Sequence, residues 1–97
     1  MRVISRKRLK EFWERHRDAE QPLKAWYAEV ARAQWMGPGD IKARYPSASI
    51  LANDRVVFNI KGNRYRLIVI VRYKACIVFV RFIGTHPEYD GIDAAQV

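Results

Sequence analysis

Residues 81–90 read R-F-I-G-T-H-P-E-Y-D, and the stretch changes character part-way. An apolar run reaches Gly84, and then His86, Glu88, Tyr89 and Asp90 arrive within five positions. Imidazole is the side chain that accepts or releases a proton near neutral pH. A phenol beside cations can hydrogen-bond a phosphate or act as an acid or base. Asp90 can orient His86 or cap a turn. Pro87 disfavours helical backbone at the residue before it, so His86 is expected to be extended.

The cations these groups would need stand upstream. Arg64, Arg66 and Arg72 share one face of an alternating apolar segment with Ile68 and Ile70, and Lys61 and Asn63 lie in the turn before it. Arg81 falls in the next such segment, on one face with Ile77, Phe79 and Ile83, and would join the Arg66 face if it points the same way. Guanidinium forks match phosphate geometry and do not lose their charge. Basic groups set among apolar ones suit a single-stranded nucleic acid. Combined with His86 and Tyr89, they would suffice to cleave RNA without a metal. The ribose 2′-OH attacks the adjacent phosphate, a base takes its proton, and the cations hold the charged oxygens. The bland alternative is a solvated basic face whose His86 and Tyr89 only pack and cap the end of a sheet.

Other chemistries lack their residues. His16 and His86 are the only histidines and Cys76 the only cysteine, so no zinc-ligand spacing exists and no metal or cofactor is expected. There is no phosphate-cradling glycine loop, dinucleotide fingerprint or serine-nucleophile motif.

These groups must be held by a small chain. Ninety-seven residues, 49% of them hydrophobic, are expected to form one domain over 1–97 with a single core. The formal charge of +8 points to a polyanionic partner. Cys76, inside a Val/Ile run, is expected to be buried filler in a chain suited to a reducing cytoplasm. No leader peptide or run of membrane-spanning length is read.

The elements follow from periodicity. Met1–Ile4 suits a short strand. Ser5 is placed to cap a helix to about His16, with Leu9, Phe12, Trp13 and His16 on one face. Asp18 is placed to cap a second helix, in which Leu23, Trp26, Tyr27, Val30 and Gln34 recur at helical spacing as far as Gly37-Pro38-Gly39. Asp40 is expected to cap one further turn. From Arg55 the period changes to two, giving three antiparallel strands, 55–60, 64–73 and 76–83, joined at Lys61-Gly62-Asn63 and Lys74-Ala75. Residues 91–97 show no pattern and are expected to fray. The result is an α+β fold, with two N-terminal helices on one face of a small, mainly antiparallel sheet.

Four separated segments, V-I-S-R-K-R-L-K-E-F-W at 3–13, D-A-E-Q-P-L-K-A-W-Y at 18–27, V-V-F-N-I-K-G-N-R-Y-R-L-I at 56–68 and T-H-P-E-Y-D at 85–90, resemble the HigB family of toxins within the RelE-like superfamily of bacterial mRNA interferases. The resemblance runs along nearly the whole chain. It implies a RelE-like fold and the toxin half of a type II toxin–antitoxin pair. The activity it implies is endoribonucleolytic cleavage of mRNA, usually on the ribosome, by 2′-OH attack. It also implies a HigA-like antitoxin that neutralises the toxin and carries the pair to operator DNA. By the same resemblance His86, Tyr89, Arg81 and Arg66 are the catalytic candidates, and Lys61, Asn63, Arg64 and Arg72 the RNA-binding ones. The base is left between His86, Tyr89 and neither. A rival reading keeps the basic face and drops the chemistry: a module that blocks translation by occupying RNA or the ribosome.

Overall fold

A computed structural model describes all 97 residues. In chain order the elements are β1 (Arg2–Ile4), α1 (Arg6–Arg15), a 3-10 turn (Arg17–Ala19), α2 (Glu20–Arg32), α3 (Pro38–Arg44), β2 (Ser49–Ile50), β3 (Arg55–Ile60), β4 (Tyr65–Arg72), β5 (Ile77–Thr85) and α4 (His86–Asp90). The strands form one sheet in the order β1-β5-β4-β3-β2. Only the β1–β5 pair is parallel. The architecture is α+β, as the periodicity requires.

Alternation places Tyr65, Leu67, Val69 and Val71 of β4 against α1 and α2. They share a cluster of 20 buried residues with Leu9, Phe12 and Trp13 of α1 and Leu23, Trp26 and Val30 of α2. Leu9, Leu23 and Leu67 are fully buried, and truncating any one to alanine would cost about 2–5 kcal/mol. Trp26 and Trp35 both stack on or against Phe58, at 5.4 and 6.2 Å between ring centres.

Several expectations are corrected. Asp18 does not cap α2: the cap position is Ala19, with no side-chain bond, because the 3-10 turn intervenes. The Asp18 carboxylate is engaged across the fold by Tyr65 and Arg64 instead. α2 ends at Arg32, short of Gln34, where Ala33 turns extended (ψ 154°) and the chain carries Trp35 into the core. α3 starts at Pro38, a residue pre-shaped for a first turn. Asp40 lies inside that turn and accepts the Met36 N–H at 2.8 Å. Ser5 does occupy the cap position of α1, but its hydroxyl makes no capping bond. The two-residue β2, too short to show a period, pairs with β3 at the sheet edge. Cys76 is exposed, in the left-handed region (φ 57°) of the β4–β5 turn, where the hairpin geometry and not the neighbouring Val/Ile run sets its environment.

The largest correction concerns β5. Ile68 pairs with Phe82 and Val69 with Val80, so Arg81 is an extra residue in a β-bulge. A bulge reverses the alternation beyond it. Ile83 therefore packs with the core. Phe82 and Gly84 pair with Ile68 and Arg66 and share their face.

That face is not bare. Val57 and Ile68 point away from the helices, yet are 2% and 0% exposed. Residues 91–97, expected to fray, are fastened on this side. Arg55, which shares a face with Val57, donates to the Val97 carbonyl from Nε (3.2 Å) and Nη2 (2.8 Å), and Asn53 donates to the Ala95 carbonyl (3.1 Å). A single clamp of side chain to backbone at the end of the chain is what periodicity cannot register.

Candidate active site

The β3–β4 turn comes first. Lys61 and Gly62 are both left-handed, at φ 57° and 64°, which the tight reversal from Ile60 into Tyr65 demands. Glycine takes that geometry freely, whereas Lys61 holds it at a cost of about 1 kcal/mol. The turn aims Asn63 at Arg66. The Arg66 guanidinium donates to the Asn63 carbonyl at 2.9 Å and to its Oδ1 at 2.7 Å.

Arg66 is the one charged side chain in the interior, 9% exposed, and it has no carboxylate partner. Its Cζ lies 5.7 Å from the centre of the Tyr89 ring, a distance at which the ring's negative face attracts a cation. A buried positive charge met only by neutral acceptors and a ring is one that an anion would stabilise.

α4 supplies the other half. Thr85, extended at φ −73° and ψ 164°, is its cap, so His86 begins the helix and is not extended as the following proline suggests. A reciprocal capping box overrides that preference. Thr85 Oγ1 accepts the Glu88 N–H at 3.3 Å, while Glu88 Oε1 accepts the Thr85 N–H at 2.8 Å and its hydroxyl at 3.0 Å. These bonds, led by the Thr85 N–H and helped by the charges of His16 and Arg15, hold the Glu88 carboxyl below the usual carboxylate range. Glu88 therefore stays ionised as a structural group. One turn on, Asp90 Oδ2 sits 3.0 Å from Nδ1 of His86. With Nδ1–H donating to this carboxylate, Nε2 keeps its lone pair and is available as a base. The His86 N–H donates to the Arg64 carbonyl at 3.2 Å, tying α4 to the start of β4.

Arg64 is exposed, 3.3 Å from Asp18 Oδ2, with its Cζ 5.8 Å from the Tyr65 ring. Asp18 accepts the Tyr65 hydroxyl, and this bond, with Arg64 and Lys61 nearby, lowers the Asp18 carboxyl. Burial, reinforced by Asp18, pushes the Tyr65 phenol up.

Lys61, Asn63, Arg64, Arg66, His86 and Tyr89 are thus brought to one end of the sheet. Arg72 is not: it sits at the other end of β4, about 20 Å away along the strand, paired with Asp54. Arg81 is the extra residue of the bulge, without a partner on β4, and its carbonyl accepts from Arg8 of α1 at 2.9 Å. Asn63 braces Arg66, and Asp18 braces Arg64. The role of Asp18 had no local signal, since its partner Tyr65 is 47 residues away in the chain. No group of three or more His, Cys, Asp or Glu side chains could hold a metal ion. None of the surface depressions is lined by Arg66, His86 or Tyr89.

Residues 19–92 match the HigB_toxin family, described as the RelE-like toxic component of a toxin–antitoxin system. The chain belongs to this family. It is 29% identical over 98 residues to the mRNA interferase toxin HigB of Escherichia coli K12, covering 99% of this chain and 94% of that protein. Proteins named mRNA interferase HigB from Escherichia coli O157:H7 and Shigella flexneri show the same identity and coverage. The HigB_toxin match takes in the β3–β4 turn, the bulge and α4, and begins after α1. No helix is long and apolar enough to cross a membrane.

Proposed function

We propose that this toxin is a metal-independent endoribonuclease that cleaves mRNA at the surface between the β3–β4 turn and α4. The observation that carries the reading is Arg66: a buried guanidinium without a carboxylate, against the Tyr89 ring of the short helix whose His86 imidazole meets the Asp90 carboxylate. A phosphodiester offers this guanidinium an anionic partner, and RNA supplies its own nucleophile.

In the proposed step the 2′-oxygen bonds to phosphorus as the bond from phosphorus to the 5′-oxygen breaks. His86 Nε2 takes the 2′-OH proton. The Tyr89 hydroxyl gives its proton to the departing 5′-oxygen. Arg66 neutralises the non-bridging oxygens, and Lys61 and Arg64 hold the flanking backbone. The products are a 2′,3′-cyclic phosphate and a 5′-hydroxyl. An open, cationic surface suits a polymer presented by a larger body, which supports the translating ribosome as the place of cleavage. Family membership supports a protein antitoxin, for which a HigA-like repressor that carries the toxin to operator DNA is the proposed form, and the cytoplasm as the compartment.

The same openness would also serve a non-catalytic blocker, so the test must separate the two. Mapping mRNA 5′ ends after induction is expected to show discrete new ends with the wild-type chain and none with folded His86→Ala. Translation arrest with intact messages from the wild type would establish occupancy instead.

A further inference from the structure

The bulge makes Arg81 an unpaired extra residue of β5, and the sheet edge it occupies is itself a candidate site. A groove of about 380 Å³ runs between α1 and the free edge of β5, lined by Arg8, Glu11, Arg15, Arg81, Phe82 and Ile83. Its three arginines are exposed, and none has a carboxylate partner. Elsewhere four exposed arginines are paired, Arg17 with Glu20, Arg44 with Glu29, Arg64 with Asp18 and Arg72 with Asp54, while Arg2, Arg6 and Arg32 stand unpaired but line no common groove. Here Arg8 instead donates to the Arg81 backbone carbonyl at 2.9 Å, which holds the Arg8 guanidinium at the edge of β5. Three cations share the groove with one carboxylate, Glu11, which leaves an excess of positive charge that attracts an anion.

The groove also leads to the site. Arg15 lies close enough to α4 to lower the Glu88 carboxyl, and His16, the next residue, does the same. Phe82, on the groove wall, packs against Gly84, the residue opposite Arg66. Cations with one half-exposed aromatic ring, continuous with a phosphate-neutralising arginine, are the elements of a track for single-stranded nucleic acid.

We infer that this groove binds the backbone of the same RNA, several nucleotides away from the bond that is cut, through phosphate contacts from Arg8, Arg15 and Arg81. This extension rests on the ribonuclease reading above. It makes affinity depend on RNA length in a way the chemistry at His86 does not.

The test uses the full chain and fluorescent 2′-O-methyl oligonucleotides of four and twelve nucleotides, which lack the nucleophile and stay intact. The wild type is expected to bind the longer one at least about ten-fold more tightly and with a steeper salt dependence. Arg8→Gln/Arg15→Gln/Arg81→Gln should bind both lengths alike, with the salt slope lower by about 0.7 for each phosphate contact removed. The matching triple lysine variant should restore most of the slope, and Arg32→Gln, an exposed arginine elsewhere, should behave as wild type. Arg15→Gln alone, which breaks no hydrogen bond, gives the partial effect if the triple variant does not fold. A length advantage that survives the glutamine substitutions, or its absence in the wild type, overturns the groove. Equal affinity for a polyglutamate peptide of matched charge would assign it to an acidic protein and overturn the RNA track. A groove that behaves as expected while unmodified RNA stays uncut on ribosomes would sink the nuclease reading and leave the track standing.

Discussion

Arg66 sets a conflict between stability and activity at a single residue. Burying a guanidinium without an anion costs the folded state energy that Asn63 and the Tyr89 ring return only in part. Arg66→Met, which keeps the unbranched stem and drops the charge, is therefore expected to leave stability unchanged or raise it by about 1 kcal/mol. It should lower mRNA cleavage by at least a hundred-fold. Denaturant melts and 5′-end mapping on one preparation check both halves, and a clear destabilisation would show that Arg66 is structural. Arg66→Lys should be nearly as inactive, because an ammonium cannot reproduce the planar fork. Asp90→Asn tests positioning. Its amide can still meet Nδ1 but no longer fixes which nitrogen carries the proton, so cleavage should fall about ten-fold or more while RNA binding holds.

At the scale of elements, α4 is five residues long and cannot persist on propensity, so its cap decides whether His86 and Tyr89 are placed at all. Thr85→Ala should cost about 1 kcal/mol and reduce cleavage together with it. Gly84→Ala should do the same by another route, since a Cβ there collides with the Phe82 ring and crowds Glu88 Oε1 at 3.1 Å. Thermal melts of the two variants, with cleavage measured well below the transition, separate lost fold from lost placement. The core helices and the three long strands were legible because their burial repeats along the chain, as Leu9, Phe12 and Trp13 or Tyr65, Leu67, Val69 and Val71 show. The β5 bulge was not, because one inserted residue leaves the local alternation looking intact while it exchanges Ile83 for Phe82 on the outer face. His86, Tyr89 and Asp90 were readable as a set of types, whereas the Asp18 and Asn63 braces exist only through contacts made in space.

For the whole molecule, the ends of the pH range act through different groups. Asp18, Glu20 and Glu88 titrate below their ordinary values, through Tyr65, Lys24 and Thr85 respectively. The unfolded chain therefore binds more protons than the folded one in acid, and the stability these groups supply is lost as pH falls from about 4.5 through their folded values. Tyr65 and Tyr73 are raised by burial, and Tyr45 is pushed up to about 12 by burial and Glu29. Their contribution is complete below pH 10 and is lost as pH rises through the folded values, so melting temperature should plateau between and decline on both sides. Tyr45→Phe should flatten the alkaline decline, and Glu88→Gln the acid one. Removing residues 92–97 should uncover Val57 and Ile68 and cost about 2–4 kcal/mol, read as a shift in denaturant midpoint. The Cys76 thiol stands in the turn at the far end of β4 and β5 from Arg66, and the chain holds no second thiol for it to react with. One maleimide dye should therefore attach at a single known point, clear of the scissile linkage, and follow toxin capture on ribosomes by fluorescence, while the same thiol left bare in air should couple two molecules tail to tail.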